Sequence, residues 1–254
     1  MIITYCLGLT CVMYRSDLDA CKIKYILYSM ANRGTSLVTS EYYHIYNRGN
    51  SKNTIFHDNH DYEYFINLLI IMNTELRIKS IRTKGFKNLI GPKENLLNKN
   101  EPIVSIGAYC CMPNHFHILI KQEKDNGVSV FMQKLSTAYA MYYNKKYKHT
   151  GSLFEGRFKS KYAGDDTYLK YLFSYIHMNP LKIIDKNWKS GRSLSSEKAL
   201  AFLYSYTYSS FNEYCNGIEE VTNKKVFPSY FPTKNHFKKE IFSWIQLESY
   251  PSEK

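Results

Sequence analysis

The sequence predicts an α+β fold, a ferredoxin-like split βαβ antiparallel sheet with helices on one face. The first observation is the order strand, helix, strand, strand, helix, strand along the chain. The second is the short turn Met112-Pro113-Asn114, which indicates an antiparallel pair of strands. The third is the absence of an internal repeat and of an apolar run of about 18 residues, which disfavours repeat and membrane-spanning architectures. The 254 residues are enough for one such domain with extensions.

The first strand and the first helix come early in the pattern. Residues 42–47 are rich in aromatic and branched side chains, which predicts a strand, and Gly49 marks the turn that ends it. Asp61 is a good N-cap for the helical spacing of apolar residues that follows, so a helix is expected over about 61–76. Residues 80–101 are rich in Lys, Asn, Gly and Pro and predict a loop or insertion.

Two more strands and the second helix follow. Ile103–Cys111 and His115–Lys121 predict the second and third strands, and apolar residues at helical spacing predict a helix over 128–147. In 153–162 the latter half alternates between apolar and basic residues, as a half-exposed fourth strand would.

The third helix is expected over 166–178, because Pro180 disfavours helical geometry at the residue before it. The last fifteen residues predict a short helix and a frayed end. The predicted organisation has three parts: an N-terminal extension at 1–40, in which Met30 offers an alternative start, a catalytic domain at 41–183 and a C-terminal extension at 184–254.

Composition indicates the class of partner. The chain has 34 Lys+Arg against 22 Asp+Glu, a formal net charge of +12 and a pI near 9.2, which favours a polyanion. Its six cysteines form no C-x-x-C pair, so a reducing cytosol fits best and a structural zinc site is disfavoured.

The first candidate for chemistry is His115-Phe116-His117. On a strand, residues two apart face the same side, so both imidazoles point one way and Phe116 points to the core. Such a pair can bind one divalent metal and leave positions open for substrate oxygens. Two half-buried polar residues with no such role are the alternative that this motif alone leaves open.

The second candidate is the segment 175–180 at the end of the third helix. Tyr175 and Asn179 are four residues apart and share a helix face. The Asn179 carbonyl oxygen is a plausible third ligand for a hard cation such as Mg²⁺ or Mn²⁺. Tyr175 could attack phosphorus if a metal polarises the phosphate, or it could simply be one of 24 tyrosines that pack.

The third candidate is the basic stretch 121–161, with nine Lys/Arg against three Asp/Glu and several interleaved tyrosines. Cations on phosphates and aromatic faces on unstacked bases are what single-stranded nucleic acid requires. A solvated helix face is the alternative.

Together these motifs resemble the single-tyrosine HUH transposases, and among them the REP-associated tyrosine transposases. The resemblance covers about 41–215. It rests on Tyr43-His44-Ile45-Tyr46-Asn47-Arg48-Gly49-Asn50, Met112-Pro113-Asn114-His115-Phe116-His117-Ile118-Leu119, Phe154-Glu155-Gly156-Arg157-Phe158-Lys159-Ser160, Tyr175-Ile176-His177-Met178-Asn179-Pro180 and Tyr208-Ser209-Ser210-Phe211.

The resemblance implies the HUH transposase fold and a reaction. His115 and His117 would be metal ligands for Mg²⁺ or Mn²⁺, Asn179 would complete the metal site, and Tyr175 would be the nucleophile. The implied enzyme cleaves and rejoins single-stranded DNA through a 5′-phosphotyrosine link and a free 3′-hydroxyl.

The resemblance also implies partners. These are single-stranded DNA with hairpin (palindromic) elements, no membrane, and a cytoplasmic, nucleoid-associated location, with monomer or homodimer and a cis or trans tyrosine left open. The predicted DNA-binding residues are Arg48, Lys134, Lys145, Lys146, Arg157, Lys159 and Lys161.

Two rivals stay open at this point. One is a domesticated protein that binds structured single-stranded DNA without cleaving it. The other is a metal-dependent phosphoesterase that uses water, for which the sequence offers no compelling additional acidic or His ligand nearby.

Overall fold

A computed structural model of the chain describes residues 2–6, 9–13, 36–73, 101–188 and 194–246. The chain divides into two compact units, Met1–Ser36 and Leu37–Lys254. In the first unit, β1 (Ile2–Cys6) and β2 (Leu9–Met13) form an antiparallel pair. The remaining elements belong to the second unit.

The second unit holds a four-stranded sheet and seven described helices. The strands are β3 (Tyr42–Arg48), β4 (Val104–Met112), β5 (His115–Gln122) and β6 (Lys159–Tyr162). The helices are α1 (Asn59–Ile71), α2 (Gly127–Tyr147), α3 (Asp166–Met178), α4 (Leu181–Ile184), α5 (Ser196–Ser205), α6 (Phe211–Asn216) and α7 (Lys234–Gln246). Short 3₁₀ turns lie at Asn50–Lys52 and Lys224–Val226.

The strand order is β4-β5-β3-β6, and every neighbouring pair is antiparallel. β3 and β4 therefore run parallel to each other with β5 between them, and α1 connects them in sequence. β5 and β6 are likewise separated by β3 and connected through α2. These two interleaved units are the split βαβ arrangement, which confirms the predicted fold class.

One face of the sheet is covered by α1 and α2. Phe116 and Ile118 of β5 are buried there with Phe65 of α1 and with Phe131 and Tyr139 of α2. Their ring contacts form a continuous aromatic core, with Phe65 5.0 Å from Phe116 and 5.1 Å from Tyr139 between ring centroids. This is the helix-covered face that the sequence predicts.

The other face carries α3 and the C-terminal helices. Cys110 of β4 and Leu119 of β5 are buried with Phe173 and Ile176 of α3 and with Phe211 of α6. The prediction of helices on one face therefore holds for α1 and α2 and needs correction for α3 and the C-terminal helices. Residues beyond 184 complete this second core, and which face of the sheet they cover is set by contacts between residues far apart in the sequence.

The predicted boundaries of the first helix also need correction. Its N-cap is Asp58, whose side chain accepts from the Asp61 backbone N–H, and the helix ends at Ile71. Asp61, the predicted cap, is fully buried inside the first turn. Most of the predicted loop at 80–101 lies outside the described residues, as do the last eight residues of the chain. Among the described helices, none is long and apolar enough to cross a membrane.

Candidate active site

The two histidines of β5 lie on the face covered by α3. Because side chains alternate along a strand, Phe116 enters the aromatic core and His115 and His117 point the other way. Their rings are 5.0 Å apart and nearly perpendicular. In the register, Arg48 of β3 lies opposite His115 and Tyr46 lies opposite His117. The two imidazoles therefore lie on the same face of the sheet, as the sequence predicts.

His117 is held by a third histidine, His44 of β3. The Nε2 atom of His44 is 2.9 Å from Nδ1 of His117, and the two rings stack with centroids 5.0 Å apart. Both side chains are buried, with 6% and 7% of their surface exposed. This hydrogen bond engages Nδ1 of His117 and so directs any metal contact to Nε2.

His115 is oriented by its neighbour Asn114. Nδ1 of His115 donates to Oδ1 of Asn114 at 2.7 Å, while Nδ2 of Asn114 donates to the carbonyl of Lys52 at 3.1 Å. Burial, together with the nearby positive charges of Lys182 and Arg48, lowers the pKa of His115 to about 4. The ring is therefore neutral near pH 7 and presents a lone pair rather than a proton.

The turn after β3 supports Asn114 through its backbone. Gly49 N–H donates to the Asn114 carbonyl at 2.8 Å. A Cβ atom at Gly49 would lie 2.1 Å from the carbonyl oxygen of Asn53, so only glycine fits this close approach.

Tyr175 of α3 lies over the histidines. Its ring centroid is 5.6 Å from that of His117 and 5.9 Å from that of His44, edge-on in both cases. The side chain is 7% exposed and borders cavities on two sides. The Lys182 ammonium lies 5.4 Å from the centroid of the ring. The predicted nucleophile and the predicted histidines therefore share one site.

Asn179 follows Tyr175 by one helical turn and is fully buried. Its Nδ2 donates to the Tyr175 carbonyl at 3.2 Å, whereas its Oδ1 has no hydrogen-bond partner. A buried amide oxygen without a partner costs free energy unless something else binds it.

The donor chemistry fits a divalent cation. His115 and His117 line one cavity, whereas Asn179 lines neither of the two cavities next to the histidines. Imidazole nitrogens and an amide oxygen are donors that a divalent cation accepts, and they would leave positions for phosphate oxygens and water. Among the described residues no group of three or more His, Cys, Asp and Glu could hold a metal, so an all-acidic or Cys-rich site is absent from that part of the chain.

His177 connects α3 to the segment around Ser210. It is fully buried, with Nδ1 bonded to the Phe173 carbonyl and Nε2 to the Ser210 hydroxyl, each at 2.7 Å. The segment around Ser210 in turn pairs with β4, since Ser210 N–H donates to the Tyr109 carbonyl and Cys111 N–H donates to the Tyr208 carbonyl. The Tyr-Ser-Ser-Phe segment thus anchors the helix of Tyr175 to the sheet.

A cavity of about 330 Å³ opens beside His115, His117 and Tyr175. It is lined by four cationic side chains and by one acid, Glu155. These cations are Arg48, Lys52, Lys159 and Lys182. The Arg48 guanidinium pairs with Glu155, and the remaining positive charge suits a phosphate group.

The predicted DNA-binding residues lie in three different places. Arg48, Lys159 and Lys161 lie beside the site, since strand pairing places Lys159 next to Tyr46 and Lys161 next to His44. Arg157 is exposed in the segment before β6 and lines neither cavity next to the histidines.

The other three residues predicted to bind DNA are lysines of α2, the helix on the face of the sheet opposite the histidines. Lys134 is 6% exposed, and burial lowers its pKa to about 8. Lys146 forms ion pairs of 2.7 Å with Asp58 and Asp61. Lys145 is exposed on the same helix. The helical pattern gave no indication of which face of the sheet α2 would cover.

Sequence reasoning missed His44, Lys182 and Lys52. The signal for His44 was present, because His44, Tyr46 and Arg48 alternate along β3 and therefore share a face. What the sequence lacked was the register that sets this face beside His117. Lys182 lies on α4, beyond the turn at Pro180.

The comparison with known protein families matches the part of the chain that carries these residues. Residues 64–179 match the family model described as "Transposase IS200 like". This range contains His115, His117, Tyr175 and Asn179, and the match confirms the resemblance predicted from them. No curated protein sequence matches the chain.

Among solved structures, the chain is similar to that of a REP-associated tyrosine transposase bound to a REP hairpin. It is 12% identical, covers 79% of this chain and 96% of its own, and has a TM-score of 0.44.

Proposed function

We propose that this chain, which carries the IS200-like transposase signature over residues 64–179, cleaves and rejoins single-stranded, hairpin-bearing DNA through a 5′-phosphotyrosine intermediate. One observation carries the proposal. Tyr175 lies 5.6 Å from His117, ring to ring, in a cavity that both line together with His115. A hairpin substrate is further supported by the similar transposase bound to a REP hairpin.

The first step is placement of the phosphodiester. The cavity beside His115 offers Lys52, Lys159 and Lys182 to the phosphate oxygens, and Arg48 is held nearby by Glu155. These contacts are to the DNA backbone, so they position the strand without reading its sequence.

The second step is attack by Tyr175. Its hydroxyl loses a proton and forms a bond to phosphorus, while the bond from phosphorus to the 3′ oxygen breaks and that oxygen leaves as a 3′-hydroxyl. Tyr175 then holds the 5′ phosphate. The reverse attack by the same or another 3′-hydroxyl restores a phosphodiester, so the link conserves the bond and no external energy source is required.

A phenol has a pKa near 10 and needs assistance at neutral pH. His115, His117 and Oδ1 of Asn179 would hold a Mg²⁺ or Mn²⁺ ion, which when bound polarises the phosphate and stabilises the departing oxygen. His44 and Asn114 orient the two imidazoles for that purpose.

The test is covalent capture on labelled single-stranded DNA that bears a hairpin, with Mg²⁺ or Mn²⁺, on denaturing gels. The parent protein is expected to give a protein–DNA adduct that chelator and Tyr175→Phe both abolish. Tyr171→Phe is the matched control, because Tyr171 lies one turn earlier on α3 with its ring 5.8 Å from that of Tyr175.

Two outcomes would redirect the assignment. Cleavage that persists in Tyr175→Phe would favour a water-dependent phosphoesterase. Retarded DNA with neither adduct nor cleavage on every hairpin would favour the non-cleaving binder.

A further inference from the structure

A second cavity, of about 800 Å³, lies on the other side of Tyr175 and His117. It shares Tyr46, His117 and Tyr175 with the cationic cavity, so the proposed nucleophile borders both cavities. Its far wall is formed by Tyr168 and Tyr171 of α3 and by Trp244 of α7 in the C-terminal extension. A volume of this size accommodates a small aromatic ligand.

The two cavities differ in charge. The cationic cavity is lined by four Lys/Arg side chains and one acid. The aromatic cavity is lined by Lys161 and Lys170 with Asp165 and Glu240, so its lining charges balance. Balanced charge and aromatic walls suit a neutral π system rather than a phosphate.

Trp244 is held in place before any ligand arrives. Its Nε1 donates to Oε1 of Glu240 at 3.0 Å, and Glu240 pairs with Lys170 of α3 at 3.3 Å. The indole also packs edge-on against Tyr171, with centroids 5.3 Å apart. A ring already fixed by such contacts loses little conformational entropy when it stacks on a ligand.

We propose that this aromatic cavity binds one unstacked nucleobase of the DNA strand, from the nucleotide next to the scissile phosphate, with Trp244 as a stacking surface. The proposal rests on the proposed function, because the phosphate in the cationic cavity fixes which base reaches the aromatic one. A strand whose phosphates follow the cations beside His115 places an adjoining base on the other side of Tyr175. The C-terminal helix α7 is then part of the substrate site.

The test uses Trp244 as its own reporter. The chain has two tryptophans, and Trp188 is buried at 8% exposure, so Trp188→Phe leaves Trp244 as the sole tryptophan, which is excited at wavelengths that the 24 tyrosines do not absorb. This protein is titrated with a twelve-nucleotide oligo(dT) and with an abasic strand of the same length, which carries the same phosphates without bases. Base-dependent quenching is expected with the first strand and not with the second. Should Trp188→Phe unfold, the fluorescence difference between the parent and Trp244→Phe reports the same quantity.

Affinity measurements complete the test. Trp244→Leu is expected to weaken binding of oligo(dT) by roughly 5- to 150-fold, the range for loss of one base–aromatic stack, and to leave the abasic strand unaffected. Trp244→Phe should retain most of the discrimination, and Phe242→Leu, an exposed position on the same helix, should change neither affinity. Equal quenching by both strands, or equal weakening of both by Trp244→Leu, overturns the proposal.

The fluorescence and affinity measurements test the base-binding site independently of the proposed reaction, because neither measurement needs DNA cleavage. Absence of any Tyr175-dependent adduct would overturn the proposed function and leave the stacking measurement to stand or fall by itself. On a DNA that does form the adduct, an abasic nucleotide next to the cleaved bond should lower the adduct yield in the parent and not in Trp244→Leu. A yield that is equally insensitive in both proteins rejects the assigned position.

Discussion

His44 provides the sharpest test of the site, because it acts on the proposed metal through one contact. In His44→Ala the bond from His44 to Nδ1 of His117 is lost, along with the stacked ring. The buried Nδ1 of His117 then loses the hydrogen bond that orients this ring. We expect weaker binding of Mn²⁺ with little change in the strand pairing around it.

The magnitude follows from burial. Leaving a buried polar group without its partner costs about 1–3 kcal/mol, and both rings are more than nine-tenths buried. That range corresponds to a loss of affinity of about 5- to 150-fold, which overlaps the 10- to 100-fold seen when groups that orient metal ligands are removed. A dissociation constant about tenfold to a hundredfold higher is therefore expected.

The assay is Mn²⁺ binding followed by electron paramagnetic resonance, with thermal unfolding of the metal-free protein measured in parallel. His44→Gln, whose amide can reach the same atom, should recover part of the affinity. His57→Ala is the matched control, since His57 contacts Tyr143 at 2.8 Å on the opposite side of the sheet. Parent-like Mn²⁺ affinity in His44→Ala, with only a lower unfolding temperature, would refute the orienting role.

Three further changes test the parts of the fold that support the site. Hydrogen bonds from Lys146, a backbone N–H and two tyrosines outweigh burial and lower the pKa of Asp61. Asp61→Asn should therefore lower the free energy of unfolding by about 2–3 kcal/mol at pH 7. In urea unfolding, the difference in stability between the parent and Asp61→Asn should shrink as the pH falls from about 3.8, the ordinary pKa of Asp, through the lower pKa of Asp61 in the folded protein. A stability difference that does not change with pH contradicts this. Because burial lowers the pKa of Lys134 to about 8 from 10.5, Lys134→Met should stabilise the protein by about 1–3 kcal/mol at pH 7. This gain in stability should shrink between pH 8 and 10.5 as the parent lysine loses its charge. DNA affinity should stay unchanged, and weaker DNA binding by Lys134→Met would show that Lys134 contacts DNA. Gly49→Ala should cost about 1–3 kcal/mol because its Cβ meets the Asn53 carbonyl, and parent-like stability in urea would show that the turn relaxes.

The period of each element made much of the site predictable. Alternation along a strand was enough to place His115 and His117 on one face of the sheet. The four-residue spacing was enough to place Tyr175 and Asn179 on one face of the helix. These are local rules, and they depend only on whether the segment is a strand or a helix. The order of the elements then implied the split βαβ sheet, which the strand order confirms.

The rest required long-range information. The contact between His44 and His117 depends on the register of β3 against β5, which pairs Tyr46 with His117 and so brings His44 diagonally close. Trp244 reaches the cavity because α7 packs on α3, although 55 residues (179–233) separate the two helices in the sequence. Neither the register of the strands nor the packing of distant helices can be predicted from local periodicity.

The distribution of positive charge shows why net charge alone does not locate the proposed DNA interface. The excess of basic residues favours a polyanion as partner, yet the lysines of α2 are buried, paired with acids or exposed on the helix that covers the far face of the sheet. The cations that border the histidines are set instead by strand alternation, at Arg48, Lys159 and Lys161, and by the turn that follows α3, at Lys182. Whether a lysine can meet the scissile phosphate therefore depends on the face to which the sheet assigns it, and a count of charges along the sequence does not contain that assignment.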